Sequence, residues 1–194
     1  MKRTAHTILD EYLVLAAQQG DEMAMSRLVG RFDEPFRRYA ARLMGNPEEA
    51  ADAVQEAWMK IVKGIRSLDD PARFRSWAYR IVNRRCCDRL RAGVRRFESS
   101  TLAIEPEDTH AGRGPGDPIE EAEQLAELRA ALQNLPQDRR ELLAMYYMDD
   151  LTVREIAEVL DVKPGTVKSR LHYAREELRR YLEPAERTAQ SVQS

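Results

Sequence analysis

The stretch LTVREIAEVLDVKPGTVKSRLHYAREELRRYL, residues 151–182, carries the strongest pattern in the chain. Thr152 and Glu155 have the spacing of a capping box, in which each side chain satisfies an orphan amide at a helix start. Ile156, Ala157 and Leu160 give the short helix that follows an apolar stripe. Asp161, Val162 and Lys163 interrupt it, and Pro164 stands where a new helix can begin without losing a hydrogen bond. In that second helix Val167, Leu171, Ala174 and Leu178 recur at steps of four and three, which predicts one buried stripe. Lys168, Ser169, His172 and Tyr173 then face outward. A short helix, a tight turn and a longer helix with a basic, hydrogen-bonding outer face describe a helix-turn-helix with its reading helix second. The competing reading is an αα-hairpin with a solvated charged face. The cap, the turn and the outer-face chemistry agree on DNA binding.

On that face, lysine suits guanine acceptors and Ser169 accommodates either base type. Arg170, Arg175 and Arg179 suit phosphate contacts, which position a protein without specifying sequence.

A net charge of −2 over 194 residues argues at first against a polyanionic partner. The distribution reverses that impression. From Pro71 to Phe97 nine arginines, Arg84, Arg89 and Arg91 among them, face Asp88 alone; from Glu98 to Glu127 acids dominate and only Arg113 is basic. Segregation of this kind is an electrostatic footprint of nucleic-acid binding that a total conceals. No apolar run approaches the roughly 20 residues of a membrane span, so no membrane insertion is expected. The acids in MKRTAHTILDEY, ahead of any long apolar core, predict no secretory leader and a cytoplasmic protein. Cys86 and Cys87 are the only cysteines; without a histidine cluster they make no zinc site, and they read as small apolar fillers. Neither metal nor cofactor is expected.

Outward from the helix-turn-helix, helical periodicity accounts for most of the chain and strand alternation for none of it. Residues 8–19 read as a helix with Leu9, Leu13 and Ala16 inward and Gly20 as its stop. Asp21 caps a second helix with Met25, Leu28, Phe32, Phe36, Tyr39, Ala40 and Leu43 inward and Gly45 as its end, in which Pro35 predicts a kink or a shifted boundary. Asn46-Pro47-Glu48-Glu49 restarts a helix that turns Val54, Trp58, Ile61 and Ile65 inward and leaves Asp52, Gln55, Glu56 and Lys60 outside. Asp70-Pro71 opens the arginine-rich helix, with Phe74, Ala78, Ile81 and Leu90 as its core candidates and a pattern that fails near Val94. Residues 99–118, rich in Gly, Pro, Ser, Thr and acids, read as a flexible linker. Helix returns over 119–134 with Ala122, Leu125, Leu128 and Leu132 inward, and Pro136 starts another bearing Leu142, Leu143 and Tyr146. The expected division is an all-α pair of small helical domains at 1–96 and 119–184, a linker at 97–118 and a frayed tail at 185–194.

In this order, a basic helical lobe, an acidic linker and a terminal helix-turn-helix resemble the extracytoplasmic-function (ECF) sigma factors, the two-domain group of bacterial RNA polymerase sigma factors. LPQDRRELLAMYYMDDLTVREIAEVLDVKPGTVKSRLHYAREEL follows the family pattern almost throughout. AADAVQEAWMKI is similar to the family's polymerase-binding helix, and FRSWAYRIVNRRCCDRLR to the helix that meets the promoter's −10 element. The resemblance implies a subunit that binds core RNA polymerase through Asp52, Gln55 and Glu56. It would read −35 DNA with the reading helix and open and read −10 with Arg84, Asn83, Arg80, Arg85 and Arg91. It also implies control by an anti-sigma factor wedged between the lobes. One position departs from the family: the asparagine that usually stands seven residues after the tryptophan is one residue early, at Asn83, and Arg84 takes its place. That displacement turns a helical side chain by about 100°. An arginine there can stack on a base or grip phosphate instead.

Two other function classes stand beside this one. A stand-alone helix-turn-helix regulator would need a sensing pocket or phosphoacceptor in its first lobe, which an arginine-rich helix argues against. An enzyme using Cys86 or Cys87 as nucleophile would need a paired histidine, whereas His6, His110 and His172 stand in a tail, a linker and the reading helix.

Overall fold

In the computed structural model residues 5–98 and 119–190 are described, with side chains over 5–92 and 125–182; the expected linker from residue 99 on, and the first and last four residues, lie outside this range. The described residues are helical and divide into two compact units.

The first unit contains α1 (Ala5–Gln18), α2 (Glu22–Met44), α3 (Pro47–Gly64), 3-10 turns at Ile65–Ser67 and Pro71–Arg73, and α4 (Phe74–Glu98). Local signals set its boundaries as expected. The Asp21 carboxylate accepts from the Ala24 amide, and Gly45, at φ +71°, ends α2 in the left-handed conformation that favours glycine. The Asn46 side chain accepts from the Glu48 and Glu49 amides, and Pro47 fills the first turn of α3.

Helix α2 packs against α1, α3 and α4. Its Phe32, Phe36 and Tyr39 meet Trp58 of α3 and Phe74 and Tyr79 of α4 in a chain of ring contacts with centroids 4.9–5.7 Å apart. Such pairs add about 0.5–1.5 kcal/mol each beyond the area they bury. Polar ties close the unit: the Trp58 indole donates to Asp33 at 2.9 Å, and the Gln18 amide donates to the Ile65 and Leu68 carbonyls at 2.9 and 2.7 Å.

Several expectations are corrected here. Helix α2 is one element from Glu22 to Met44 with Pro35 inside it, so no boundary is shifted there: the stripe of Phe32, Phe36, Tyr39 and Leu43, buried on both sides of the proline, outweighs the lost hydrogen bond. Helix α1 turns Leu13, Val14 and Ala17 inward and leaves Leu9, Ile8, Tyr12 and Leu15 exposed, a face rotated from the expected one. In α4 the deepest residues are Phe74, Ala78, Tyr79, Val82 and Cys86, while Ile81 and Leu90 are half-buried, and the helix continues past Val94 to Glu98. Cys86 is the apolar filler expected of it.

The second unit contains α5 (Ile119–Gln133), α6 (Gln137–Tyr147), most of α7 (Val153–Leu160) and α8 (Pro164–Gln190), with α5 and α6 packed on α8. Ala131 and Leu135 are buried near the end of α5 and just beyond it, whereas Leu125, expected inward, is exposed. The capping box at α7 closes in both directions: the Thr152 amide donates to Glu155 at 2.8 Å, and the Glu155 amide donates to the Thr152 hydroxyl at 3.3 Å. Asp161, at φ +59°, ends α7, and the Val162 amide returns to the Ala157 carbonyl at 3.0 Å. Helix α8 runs to Gln190, through much of the segment expected to fray.

Candidate nucleic-acid interface

The outer face of α8 follows from its inner one. Val167, Leu171 and Ala174 are buried, so Lys168, Ser169, Arg170, His172, Tyr173, Arg175 and Arg179 are exposed. The Ser169 hydroxyl donates back to the Gly165 carbonyl at 3.1 Å, which commits its proton and leaves its lone pairs to accept. His172 and Tyr173 stand as tilted neighbours with ring centroids 5.7 Å apart. Tyr173 also borders a shallow cleft with Arg139, Glu176 and Arg180. Arg175 lies over two rings, its guanidinium carbon 5.1 Å from the Tyr146 centroid and 5.4 Å from that of Tyr147. An exposed row of lysine, serine, histidine and tyrosine flanked by arginines therefore lies along one helix, with α7 capped immediately ahead of it.

On α4 the sequence-selected residues separate by environment. Arg84 is exposed and, among the described residues, has no hydrogen-bond or ion-pair partner. Arg91 is exposed and 3.7 Å from Asp88, and Arg85 is half-buried, 4.0 Å from both Asp88 and Glu56. Arg80 is half-buried. Asn83 is half-buried, and its amide oxygen accepts from the Tyr39 hydroxyl at 2.9 Å, so the displaced asparagine is engaged inside the lobe. Phe74 is core, and Trp77 is half-buried across Gly64, where an added Cβ would sit 3.1 Å from the indole. A side chain at position 64 would require the Trp77 ring to give by a few tenths of an ångström.

On α3, Asp52 and Gln55 are exposed and Glu56 is half-buried. Glu56 accepts from Arg89 of α4 at 2.6 Å, and Asp52 accepts from the same guanidinium at 3.4 Å. The Glu56 hydrogen bond, with the carboxylate charges behind it, holds Arg89 above its ordinary pKa against a smaller desolvation effect. Sequence reading counted Arg89 only as part of the basic run. The partners are 33 residues apart, and no sequence spacing announces such a pair.

Chain comparisons match both lobes. Residues 28–96 match the family model of sigma-70 region 2, and residues 125–178 that of sigma-70 region 4. The ECF RNA polymerase sigma factor SigW of Bacillus subtilis is 30% identical over 85% of this chain and 92% of its own. The ECF RNA polymerase sigma-E factor of Escherichia coli is 32% identical over 91% of this chain and 96% of its own. This chain belongs to the ECF sigma factors.

Sigma factors are transcription initiation factors. Among the described residues there is no cluster of three or more potential metal ligands, and no helix is long and apolar enough to cross a membrane. Solved sigma-factor structures share the fold. RpoE bound to the anti-sigma factor NepR, from Bartonella quintana, gives a TM-score of 0.67 at 21% identity over 81% of this chain and 96% of its own. CnrH bound to the cytosolic domain of CnrY gives 0.62 at 22% identity over 91% and 98%. Within the sigma-factor frame α3 and α4 belong to region 2, and α6, α7 and most of α8 to region 4.

Proposed function

We propose that this sigma factor acts in the cytoplasm as a promoter-specificity subunit, docking on core RNA polymerase through Asp52, Gln55 and Glu56 of α3. Helix α8 reads the −35 element, with Lys168, Ser169, His172 and Tyr173 toward base edges and Arg170, Arg175 and Arg179 toward phosphates. Helix α4 acts at −10. Arg84 meets the exposed base there, and Arg80, Arg85 and Arg91 supply the surrounding charge. Asn83 serves this site indirectly, since its oxygen is held by Tyr39. An anti-sigma partner of the kind seen with the structural relatives controls access to these surfaces.

The observation that carries this reading is the outer face of α8, where a lysine, a serine, a histidine and a tyrosine stand exposed opposite Val167, Leu171 and Ala174. Run-off transcription with core enzyme, on a promoter found by genomic footprinting, tests it. The chain should direct a transcript of defined start. A chain that bound that DNA but gave no transcript above core alone would be a stand-alone regulator, and the proposal would fail.

A further inference from the structure

We propose that Tyr146 and Tyr147 form an aromatic seat that presents Arg175 to a DNA phosphate, making the last turn of α6 a positioning element of the −35 interface. The inference rests on the reading that α8 binds −35 DNA. Three observations carry it.

The first is geometric. The Arg175 guanidinium carbon lies 5.1 and 5.4 Å from two ring centroids, inside the roughly 6 Å range of cation–π attraction. The two rings meet edge to face at 4.9 Å and an angle of 81°, so they brace each other as well as the arginine.

The second is electrostatic. Arg89 on α4 and Arg139 on α6 are both satisfied by glutamates, Glu56 and Glu177. Arg175 has no carboxylate partner among the described residues and is exposed. Contact with aromatic rings stabilises a guanidinium without neutralising it. Rings that take up its faces leave the in-plane N–H donors free, and that fork matches two phosphate oxygens.

The third is placement. Arg175 stands seven residues after Lys168 and three after His172, on the edge of the base-reading row that turns toward α6. An arginine on a mobile four-bond stem loses rotamer freedom when it grips a phosphate. One already held by two rings loses less, and the difference appears as affinity. Tyr147 is 59% exposed although it ends a helix packed on α8, which is the cost of placing an aromatic ring at this edge.

The test uses the full chain in holoenzyme with core RNA polymerase, on a short duplex selected by that holoenzyme from random sequence. Affinity is measured from about 50 to 200 mM salt. Arg175→Ala should lower affinity and reduce the salt slope by about one. Tyr146→Leu with Tyr147→Leu should lower affinity about two- to fivefold, the range of an exposed cation–π contact. The double Phe variant, which keeps both ring faces, should restore it. In an Arg175→Ala background the Leu pair should cost nothing further. Because leucines could loosen the lobe, the Phe pair and the combined variants decide the outcome. Additive losses from the Leu pair and Arg175→Ala would overturn the seat. So would failure of the Phe pair to restore binding, or a transcription defect with unchanged DNA affinity, which would mark Tyr146 and Tyr147 as a polymerase contact. Lys168→Ala is included as the control on the premise. If it leaves base preference unchanged, the −35 reading itself has failed; if it shifts preference while the arginine and tyrosine effects add, only the seat has.

Discussion

Replacing Arg89 by alanine and Glu56 by glutamine, singly and together, measures how firmly α3 is tied to α4. The hydrogen bond between them is 2.6 Å long, and the two side chains are 30% and 40% exposed. Fully exposed pairs contribute about 0.2–1 kcal/mol, and hydrogen bonds to charged groups about 1.5–3 kcal/mol. Partial solvent access places this pair between the two, at a coupling of about 1 kcal/mol. Asp52, 3.4 Å away and 65% exposed, adds little. For a lobe of roughly this size 1 kcal/mol corresponds to a Tm shift of about 4–8 °C. The two tryptophans, Trp58 and Trp77, both lie in the first lobe, so selectively excited tryptophan fluorescence follows its unfolding. Raising salt from about 0.1 to 1 M shortens the screening length from about 10 to 3 Å, which should diminish the coupling without abolishing a 2.6 Å contact. The sign with pH follows from the raised Arg89 pKa. Its contribution is fully present below the ordinary arginine pKa of the unfolded chain and is lost only as pH rises through the higher folded one. The coupling should therefore be level between about pH 6 and 9 on the arginine side. Additivity of the single variants within about 0.3 kcal/mol, or a coupling indifferent to salt, would refute the reasoning. Arg89→Ala consequently perturbs α3 as well as the charge of α4.

Other consequences can be measured separately. Arg84→Ala should leave polymerase binding and closed-complex footprints nearly intact while reducing permanganate-reactive thymines near −10, and a premelted template should rescue most of the defect, because the few kcal/mol of unpairing are already supplied; equal loss on duplex and bubble would reduce Arg84 to bulk charge. Lys168→Ala and His172→Ala should relax base preference by about 1–3 kcal/mol at one position each, whereas Arg170→Ala should weaken all sequences alike and lower the salt slope. Binding-site selection at two salt concentrations separates these outcomes. Tyr39→Phe should cost about 1 kcal/mol of first-lobe stability through the lost Asn83 bond, read by chemical denaturation.

Local structure was legible in the sequence because its causes are local. The Asp21 and Asn46 caps, the glycine stop at Gly45 and the Thr152–Glu155 box each act within a few residues, and all stand as the spacing predicts. The stripes of α2, α3 and α8 were readable for the same reason: one apolar face at helical period admits one inward orientation. Where that condition fails, so does the reading. Helix α1 is apolar around most of its circumference, and only docking on α2 decides that Val14 is inside and Tyr12 outside. Leu125 has helical spacing and stays exposed. Helix α2 passes through Pro35 because packing with α3 and α4 outweighs a local penalty. The candidate site divides the same way. The sequence determines which residues of α8 face outward. The tertiary structure decides their company: Arg89 bound to Glu56, Asn83 to Tyr39, and Arg175 over Tyr146 and Tyr147. These partners are 28 to 44 residues apart, beyond the reach of helical periodicity, and they meet only because apolar faces elsewhere bring their helices together.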